Sequence, residues 1–228
     1  AEYRAGLRYQ GFRHAYGTLR LFEGWDYGNI SEVILGDKLQ FTGICPHQQW
    51  SSSMSLLPLY EGMLGLGIDA LKDSLTLAPA FPADWSFARV KNIRIRDNRV
   101  RLDYERTGDG YRYILTNGGR KPVNLNFSAV LPLATVVREV TVDGVAVPFS
   151  VTEEVQNVHV RIDPLHLTGK STVNLLTEGG IAVLLNLPPA VNDMPDDGLK
   201  IEGERFDPET GIYTLELAGK PGRAYDVE

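Results

Sequence analysis

Hydrophobic positions recur with two different periods along the chain, and the change of period falls near residue 74. Over residues 2–22 the apolar and aromatic side chains recur at intervals of mostly three or four, which predicts an amphipathic helix. A second helix is predicted over residues 46–66, where Pro46 is tolerated in the first turn and Pro58 introduces a kink. Two such helices cannot bury their apolar faces on each other alone, so we expect further helices upstream and a chain that is part of a longer protein.

Beyond residue 74 apolar positions alternate with polar ones, most clearly in the segments VKNIRI, VRLDYE and VHVRID. Turn signals such as Gly-Asp-Gly, Asn-Gly-Gly and Asp-Gly separate the alternating segments. Many short strands at close spacing are typical of an antiparallel β-sandwich. The strands are predicted at residues 74–78, 88–96, 99–106, 111–116, 123–131, 136–142, 145–152, 158–163, 172–176, 181–185, 199–206 and 213–217. We therefore expect a helical domain over residues 1–72 and a β-sandwich domain over residues 73–228.

The composition is that of an ordinary globular protein, with 228 residues of which 43% are apolar and 23% charged. The net charge is −6 and no run of Lys and Arg stands out, which argues against a nucleic-acid partner. No apolar run is long enough to span a bilayer, so a membrane partner is not expected. The composition leaves the compartment, cytoplasmic or periplasmic, open.

Cys45 is the single cysteine of the chain, so an intrachain disulfide is impossible. Its neighbours Pro46 and His47 leave a nucleophilic role open. A small buried side chain beside a turn is the favoured alternative, because free cysteine is among the most buried residue types.

Metal sites and cofactors are not expected. His159 and His166 lie in strand-rich sequence without an acid–histidine cluster at ligand spacing. Asp193, Asp196 and Asp197 form a small acidic segment, for which a solvated turn is favoured over a calcium site. No glycine-rich phosphate loop follows a predicted strand.

The densest cluster of chemically capable side chains lies between residues 28 and 51. It begins with a carboxylate at Glu32 and a Gly-Asp turn at Gly36 and Asp37. A Gly-x-Cys-Pro turn follows, and after it come the polar and aromatic side chains of His47, Gln48, Gln49 and Trp50.

The segments ISEVILGD and GICPHQQWS resemble the closing part of the catalytic domain in glycogen-debranching-type amylo-α-1,6-glucosidases, which are six-hairpin glycoside hydrolases with an (α/α)6 barrel. The residues that carry the resemblance are Glu32, Gly36, Asp37, Gly43, Cys45, Gln48, Trp50 and Ser51. The following segment, through the Pro-Ala-Asp-Trp sequence, resembles the bacterial branch of that group. The resemblance implies the last helices of an (α/α)6 barrel followed by a large antiparallel β-sandwich.

The resemblance also implies inverting hydrolysis, in which one carboxyl group protonates the leaving oxygen and another activates a water. It places the general base at Glu32, for which a solvated loop glutamate is the alternative. The general acid is not identified. Asp26 and Asp37 are candidates by proximity only, and both suit the turns in which they lie.

Trp50, Gln48, His47 and Trp25 are candidate sugar-binding residues. Aromatic faces stack on pyranose C–H surfaces, while amide and imidazole groups reach hydroxyl groups. Core packing for Trp50 and a hydrogen bond to the Glu32 loop for Gln48 are equally good alternatives.

We therefore expect the C-terminal fragment of an inverting glycoside hydrolase acting on α-glucosidic or related oligosaccharides, inactive by itself. The expected partners are an oligosaccharide or polysaccharide, and either the missing part of the catalytic domain or a second copy bound through the helices. The alternative is a non-catalytic carbohydrate-binding or structural β-sandwich module. The two differ at Glu32, because only the first requires that carboxylate.

Overall fold

The protein is represented by a computed structural model that describes residues 2–23, 29–41, 48–184, 191, 193–195 and 198–225. The chain forms two compact units. Unit 1 combines Ala1–Gly62 with Val183–Glu228, and unit 2 is Met63–Ala182. The predicted domain boundary between residues 72 and 73 stays a prediction.

Unit 2 is built from strands, and its described residues form one hydrogen-bonded system of eleven. The strands are β1 (Gly67–Asp69), β2 (Ser74–Leu77), β3 (Phe87–Ile95), β4 (Asn98–Arg106), β5 (Gly110–Asn117), β6 (Val123–Val142), β7 (Val145–Ala146), β8 (Phe149–Glu153), β9 (Asn157–Ile162), β10 (Leu165–Leu167) and β11 (Lys170–Ile181). The main path runs β1-β2-β6-β11-β5-β4-β3. All pairings are antiparallel except the parallel pairing of β2 with β6.

The twenty-residue strand β6 joins the two layers of unit 2. Its first part pairs with β2 and β10, its middle with β9, and its last part with β11. The change of partner falls between Pro132 and Leu133, next to Ala134, whose φ is +57°. One layer therefore contains β1, β2, β8, β9 and β10, and the other contains β3, β4, β5, β7 and β11.

The core lies between these layers and consists of the inward-facing set of each alternating strand. On β4 the buried residues Val100, Leu102 and Tyr104 alternate with exposed or half-buried polar ones. The ring of Tyr113 on β5 packs edge-on against Phe127 on β6, with centroids 5.0 Å apart. Burial of alternate side chains thus fixes which residues of each strand face outward.

A bulge interrupts the outermost strand of the second layer, β3. The register between β3 and β4 shifts between Val90 and Ile93, and Asn92 within the bulge has a φ of +61°. The residues on this strand include several cations, among them Arg89, Lys91 and Arg94.

Unit 1 contains two α-helices within its described residues, α1 (Arg8–Arg20) and α2 (Gln49–Leu57). Short 3₁₀ turns cover Glu2–Ala5 and Leu21–Glu23, and a π-helical turn over Pro58–Met63 follows α2. The antiparallel hairpin of β12 (Lys200–Asp207) and β13 (Ile212–Ala218) belongs to the same unit. None of the described helices is long and apolar enough to cross a membrane.

The prediction that the chain contains the last helices of an (α/α)6 barrel is wrong. The described residues contain two short α-helices, of 13 and 9 residues, while strands dominate the rest. The predicted helix over 2–22 is broken at Gly6, whose φ is +75°, so the apolar spacing of three and four overestimates its length.

The second predicted helix is shortened for a different reason. Three of its serines, Ser52, Ser53 and Ser55, donate hydrogen bonds to carbonyl groups four residues earlier, a pattern that weakens and bends helices. The α-helix then ends before Pro58, where a π-helical turn begins. The motif that carried the resemblance covers only residues 32–51, and it does not determine how many helices surround it.

The predicted β-sandwich agrees with the two layers of unit 2, although several strand predictions differ in detail. The predicted strand 145–152 is divided into β7 and β8, and of the predicted strand 181–185 only Ile181 lies in a strand among the described residues. The predicted strands 123–131 and 136–142 form the single strand β6, because no Gly, Asn or Asp occurs between them to make a turn. The predicted strand 172–176 is the middle of β11, which continues to Ile181.

Gly110 opens β5 at a point where the backbone of β11 passes closely. Its φ is +154°, and a Cβ atom added there would lie 1.9 Å from the carbonyl oxygen of Leu175. We expect Gly110→Ala to lower the free energy of unfolding by about 1–3 kcal/mol, because the two strands must separate or strain. Urea unfolding followed by circular dichroism measures this loss.

Gly108, in the same turn, provides the matched control because a Cβ atom there meets nothing within 4 Å. Gly108→Ala is expected to change the unfolding midpoint little. Equal midpoints for the two variants would contradict the close approach of β5 and β11.

Candidate functional site

A cleft of about 470 Å³ in unit 1 brings together two of the residues predicted to act on sugar. Glu32 and Trp50 both line it. Its apolar wall comes from α1, α2, the turns that follow these two helices and the segment 29–41, and consists of Ala15, Leu21, Ile30, Ile34, Met54 and Pro58. The predicted roles of Glu32 as general base and of Trp50 as a sugar-binding residue stay predictions.

Glu32 projects from a segment that is fixed at its start and closed by a turn. Ile30 and Ser31 are buried, and the backbone N–H of Leu35 donates to the carbonyl of Gln40 at 3.0 Å. Glu32 itself is exposed and has no hydrogen bond or ion pair with any other described residue. Its surroundings are those of a solvated carboxylate.

A second carboxylate, Glu2, lines the same cleft but is already engaged. Its Oε1 is hydrogen-bonded to Nδ1 of His14 on α1. The cleft thus combines a solvated carboxylate, an acid–histidine pair and the face of Trp50, which is 60% exposed. Such a cleft can hold an amphipathic ligand.

The other predicted site residues lie elsewhere or outside the described part of the chain. Gln48 precedes α2 as its N-cap residue, and its carbonyl accepts a hydrogen bond from the N–H of Ser52 at 3.3 Å. Asp37 is exposed and does not line the cleft. The predictions for Trp25, Asp26, His47 and Cys45 fall outside the described residues.

Within the described ranges no group of three or more His, Cys, Asp or Glu side chains is placed to hold a metal ion. His159 lies 3.1 Å from a carboxylate oxygen of Glu154, and Asp193 lies 3.2 Å from the ammonium of Lys38. Asp196 and Asp197 lie outside the described residues.

A second candidate site, which sequence reasoning missed, lies on the outer face of β3, β4 and β5 and the start of β11 in unit 2. The concave space above it measures about 660 Å³. We call it the polar face. It is lined by Ser86, Phe87, Ala88, Arg89, Arg101, Asp103, Tyr104, Glu105, Arg106, Arg112, Ile114, Thr116 and Lys170.

The strand register arranges the polar face in three rows that cross the strands. The first row places Arg101 beside Thr116 and Thr116 beside Lys170. The second runs from Arg89 through Asp103 to Ile114, and the third from Phe87 through Glu105 to Arg112. Neighbouring strands lie about 4.8 Å apart, and residues two apart on one strand about 7 Å, so the rows form a regular grid.

Asp103 is the central anion of this grid. Arg101 donates from Nε to Oδ2 at 2.6 Å and from Nη2 to Oδ1 at 2.8 Å, and Arg89 donates from Nε to Oδ1. Burial of the carboxyl group raises the pKa of Asp103, but the hydrogen bonds from Arg101 and Arg89 outweigh burial, so the pKa lies below its usual value. One carboxylate therefore orients two guanidinium groups.

Arg112 is held in a similar way at the other end of the face. It donates from Nη1 to Oε2 of Glu105 at 3.0 Å and from Nε to Oδ1 of Asn174 at 3.1 Å. Phe87, in the same row as Glu105, has 74% of its surface exposed. This end of the face therefore presents oriented polar groups beside an open aromatic ring.

The signal for the polar face was present in the alternation of VRLDYE, which separates Val100, Leu102 and Tyr104 from Arg101, Asp103 and Glu105. That pattern identifies which residues of one strand face outward. It does not show that β11 lies beside β5, because these strands are more than 50 residues apart in sequence.

Comparison with known proteins gives little further information. No family model matches the chain, and no curated protein matches it. Among solved structures it is similar to an α-L-rhamnosidase from Dictyoglumus thermophilum, with 16% identity and a TM-score of 0.38. The match covers 61% of this chain and 15% of that chain. So low a similarity carries no argument about this chain.

Replacing Asp103 tests whether it orients the polar face. We expect Asp103→Asn to lower the free energy of unfolding by about 1–2 kcal/mol, because two guanidinium groups lose their shared carboxylate. Asp97→Asn is the matched control, since Asp97 is an exposed turn residue without a partner among the described residues. Urea unfolding at neutral pH measures the stability of both variants. Equal unfolding midpoints for Asp103→Asn and Asp97→Asn would contradict the role of Asp103.

The difference between the wild type and Asp103→Asn also depends on pH. Because the pKa of Asp103 is lowered on folding, its stabilisation is fully present above the unfolded-state value of about 3.9 and is lost as the pH falls through the lower native value. We expect a constant difference in unfolding free energy between about pH 5 and pH 7, and a smaller one below about pH 4. A difference that grows on acidification would contradict this assignment.

Proposed function

We propose that the chain is a non-catalytic carbohydrate-binding module and that it binds saccharide on the polar face of unit 2. The observation that carries the proposal is the grid of oriented guanidinium, carboxylate and hydroxyl groups on three neighbouring strands and the start of β11, below an open space of about 660 Å³. Binding sites typically combine such a concavity with a few convergent polar groups.

The side chains of the polar face match the chemistry of sugars. Each sugar hydroxyl group is both a donor and an acceptor, and two adjacent hydroxyl groups form a fork. Guanidinium and carboxylate groups are planar forks of complementary kind, as in the two-point pair of Arg101 and Asp103. Phe87 adds an exposed aromatic surface for the apolar C–H face of a pyranose ring.

The hydrogen bonds among these side chains also support binding. Ordering a long side chain costs about 0.5–1.5 kcal/mol on association. Arg89, Arg101 and Arg112 are already held by Asp103 or Glu105, so much of that ordering has taken place before a ligand arrives. A preorganised face therefore binds more tightly than a set of free surface side chains.

A second candidate function is hydrolysis with Glu32 as general base, as the sequence resemblance implies. The observation that favours it is that Glu32 and Trp50 line one cleft. Inverting hydrolysis requires a second carboxyl group about 6.5–9.5 Å away that protonates the leaving oxygen. Among the described residues that line the cleft, the other carboxylate is Glu2, which is hydrogen-bonded to His14. The binding function needs no such partner and is the better supported.

Titration calorimetry with a panel of oligosaccharides, neutral and acidic, tests the proposal. We expect Arg112→Gln to weaken binding about tenfold, because it removes a bidentate donor worth about 1.4 kcal/mol. Arg138→Gln is the matched control, since Arg138 forms a similar exposed pair with Glu178 at 2.6 Å outside the polar face. This control is expected to bind as the wild type does.

Glu32→Gln separates the two candidate functions. The binding proposal expects unchanged affinity, because Glu32 belongs to the cleft of unit 1 and not to the polar face. Loss of binding in Glu32→Gln, release of sugar by the wild-type chain, or no binding to any member of the panel would each overturn the proposal.

A further inference from the structure

The polar face carries a charge opposite to that of the protein as a whole. Five of its lining side chains are cationic and two are anionic, a surplus of three positive charges, while the chain has a net charge of −6. The cations are Arg89, Arg101, Arg106, Arg112 and Lys170, and the anions are Asp103 and Glu105. A concentration of positive charge in a concave site attracts anionic ligands.

Two of the three surplus charges lie at one end of the face, and the third, on Arg106 at the other end, donates a hydrogen bond to the carbonyl of Ala83. Asp103 neutralises one positive charge but serves both Arg89 and Arg101, whereas Glu105 pairs with Arg112 at the opposite end. The ammonium group of Lys170 forms no hydrogen bond or ion pair with another described residue. The row of Arg101, Thr116 and Lys170 therefore has positive charge that the protein itself does not balance.

The register places these three groups around one position. Arg101 and Lys170 lie on either side of Thr116, so their backbones are about 10 Å apart, two strand spacings. Both side chains are long enough to reach a small anion above the hydroxyl of Thr116. Arg101 uses Nε and Nη2 for Asp103, and among the described residues its Nη1 has no acceptor.

We propose that the polar face selects saccharides that carry a carboxylate, with a uronic acid group bound between Arg101 and Lys170 over Thr116. A planar carboxylate matches the donors of a guanidinium group and accepts a further hydrogen bond from an ammonium or a hydroxyl group. The remainder of the saccharide then extends along the strands toward Arg112 and Phe87. This inference rests on the proposed function and names the class of ligand.

The site is open to solvent, which determines how its selectivity responds to salt. Interactions between exposed charges are screened beyond the Debye length, which shortens from about 10 Å at 0.1 M salt to about 3 Å at 1 M. The contribution of the carboxylate is therefore expected to fall as salt is raised, while hydrogen bonds from the neutral hydroxyl groups of the ligand are affected less.

The experiment compares two ligands that differ only in the carboxylate. Calorimetric titrations use a short oligogalacturonide and the same oligosaccharide after reduction of its carboxyl groups to alcohols, with the full chain at low and at high NaCl. We expect the acidic ligand to bind about tenfold more tightly at low salt, a factor that corresponds to one charge-assisted contact. The preference is expected to shrink at high salt.

Lys170→Gln tests the location of the anion. We expect this variant to lose most of the preference for the acidic ligand while its affinity for the reduced ligand stays the same. Lys121→Gln is the matched control, because Lys121 is an exposed turn residue that does not line the polar face. It is expected to retain the preference.

The outcomes distinguish this inference from the proposed function. Equal or tighter binding of the reduced ligand overturns the carboxylate selectivity and leaves saccharide binding standing. Binding of neither ligand overturns the inference, and the titrations with the wider oligosaccharide panel then decide separately whether saccharide binding stands. Competition by inorganic sulfate or phosphate as strong as that of the uronide shows a general anion site and overturns the inference, as does a Lys170→Gln variant with unchanged preference.

Discussion

The structure of unit 2 depends on the way in which β6 is shared between two layers. Its first part is held by β2 and β10, its middle by β9, and its last part by β11, with the change of partner next to Ala134. Side chains along a strand alternate between two faces, so the register of each pairing decides which residues are buried. The position of β6 therefore determines the orientation of β11 and, through it, of β5 and β4.

The polar face is a direct consequence of that orientation. Val100, Leu102 and Tyr104 are buried, so the residues between them on β4 must face outward. A shift of one residue in the register of β4 would bury Asp103 and expose Leu102, which would cost several kcal/mol of hydrophobic burial and charge desolvation. Compared with that cost, the ion pairs of Asp103 contribute only about 1–2 kcal/mol to stability, and they also hold the guanidinium groups in place.

The sequence predicted the strands of unit 2 better than their arrangement. Alternation in segments such as VRLDYE depends on local burial and can be recognised without the fold. The position of β11 between β6 and β5 cannot be recognised from the sequence in this way. This pairing joins residues that are far apart in the chain, such as Val173, Val142 and Tyr113. The prediction of barrel helices was wrong because the motif around Glu32 and Trp50 covers only a short part of the chain. The lengths of the helices depend instead on Gly6, the serines of α2 and Pro58. For the same reason Glu32 was recognised as a candidate from the sequence and the polar face was not.

The two candidate sites also differ in how their charges are held. Glu32 is exposed and has no partner among the described residues, so water already satisfies its carboxylate. Asp103 is largely enclosed by Arg89 and Arg101, and its side chain is 17% exposed. A carboxylate of the second kind holds its neighbouring guanidinium groups in a fixed geometry, which suits recognition.

The bulge in β3 has a consequence for the behaviour of the protein in solution. A sheet that ends in a flat, apolar strand offers its free N–H and C=O groups to other sheets, and such edges lead to aggregation. Here the outermost strand is irregular between Val90 and Ile93 and carries Arg89, Lys91 and Arg94. The irregular backbone offers no continuous ladder to a second copy, and the cations repel one another when two such edges approach. The edge next to the polar face thus remains free, and the face stays open to a ligand.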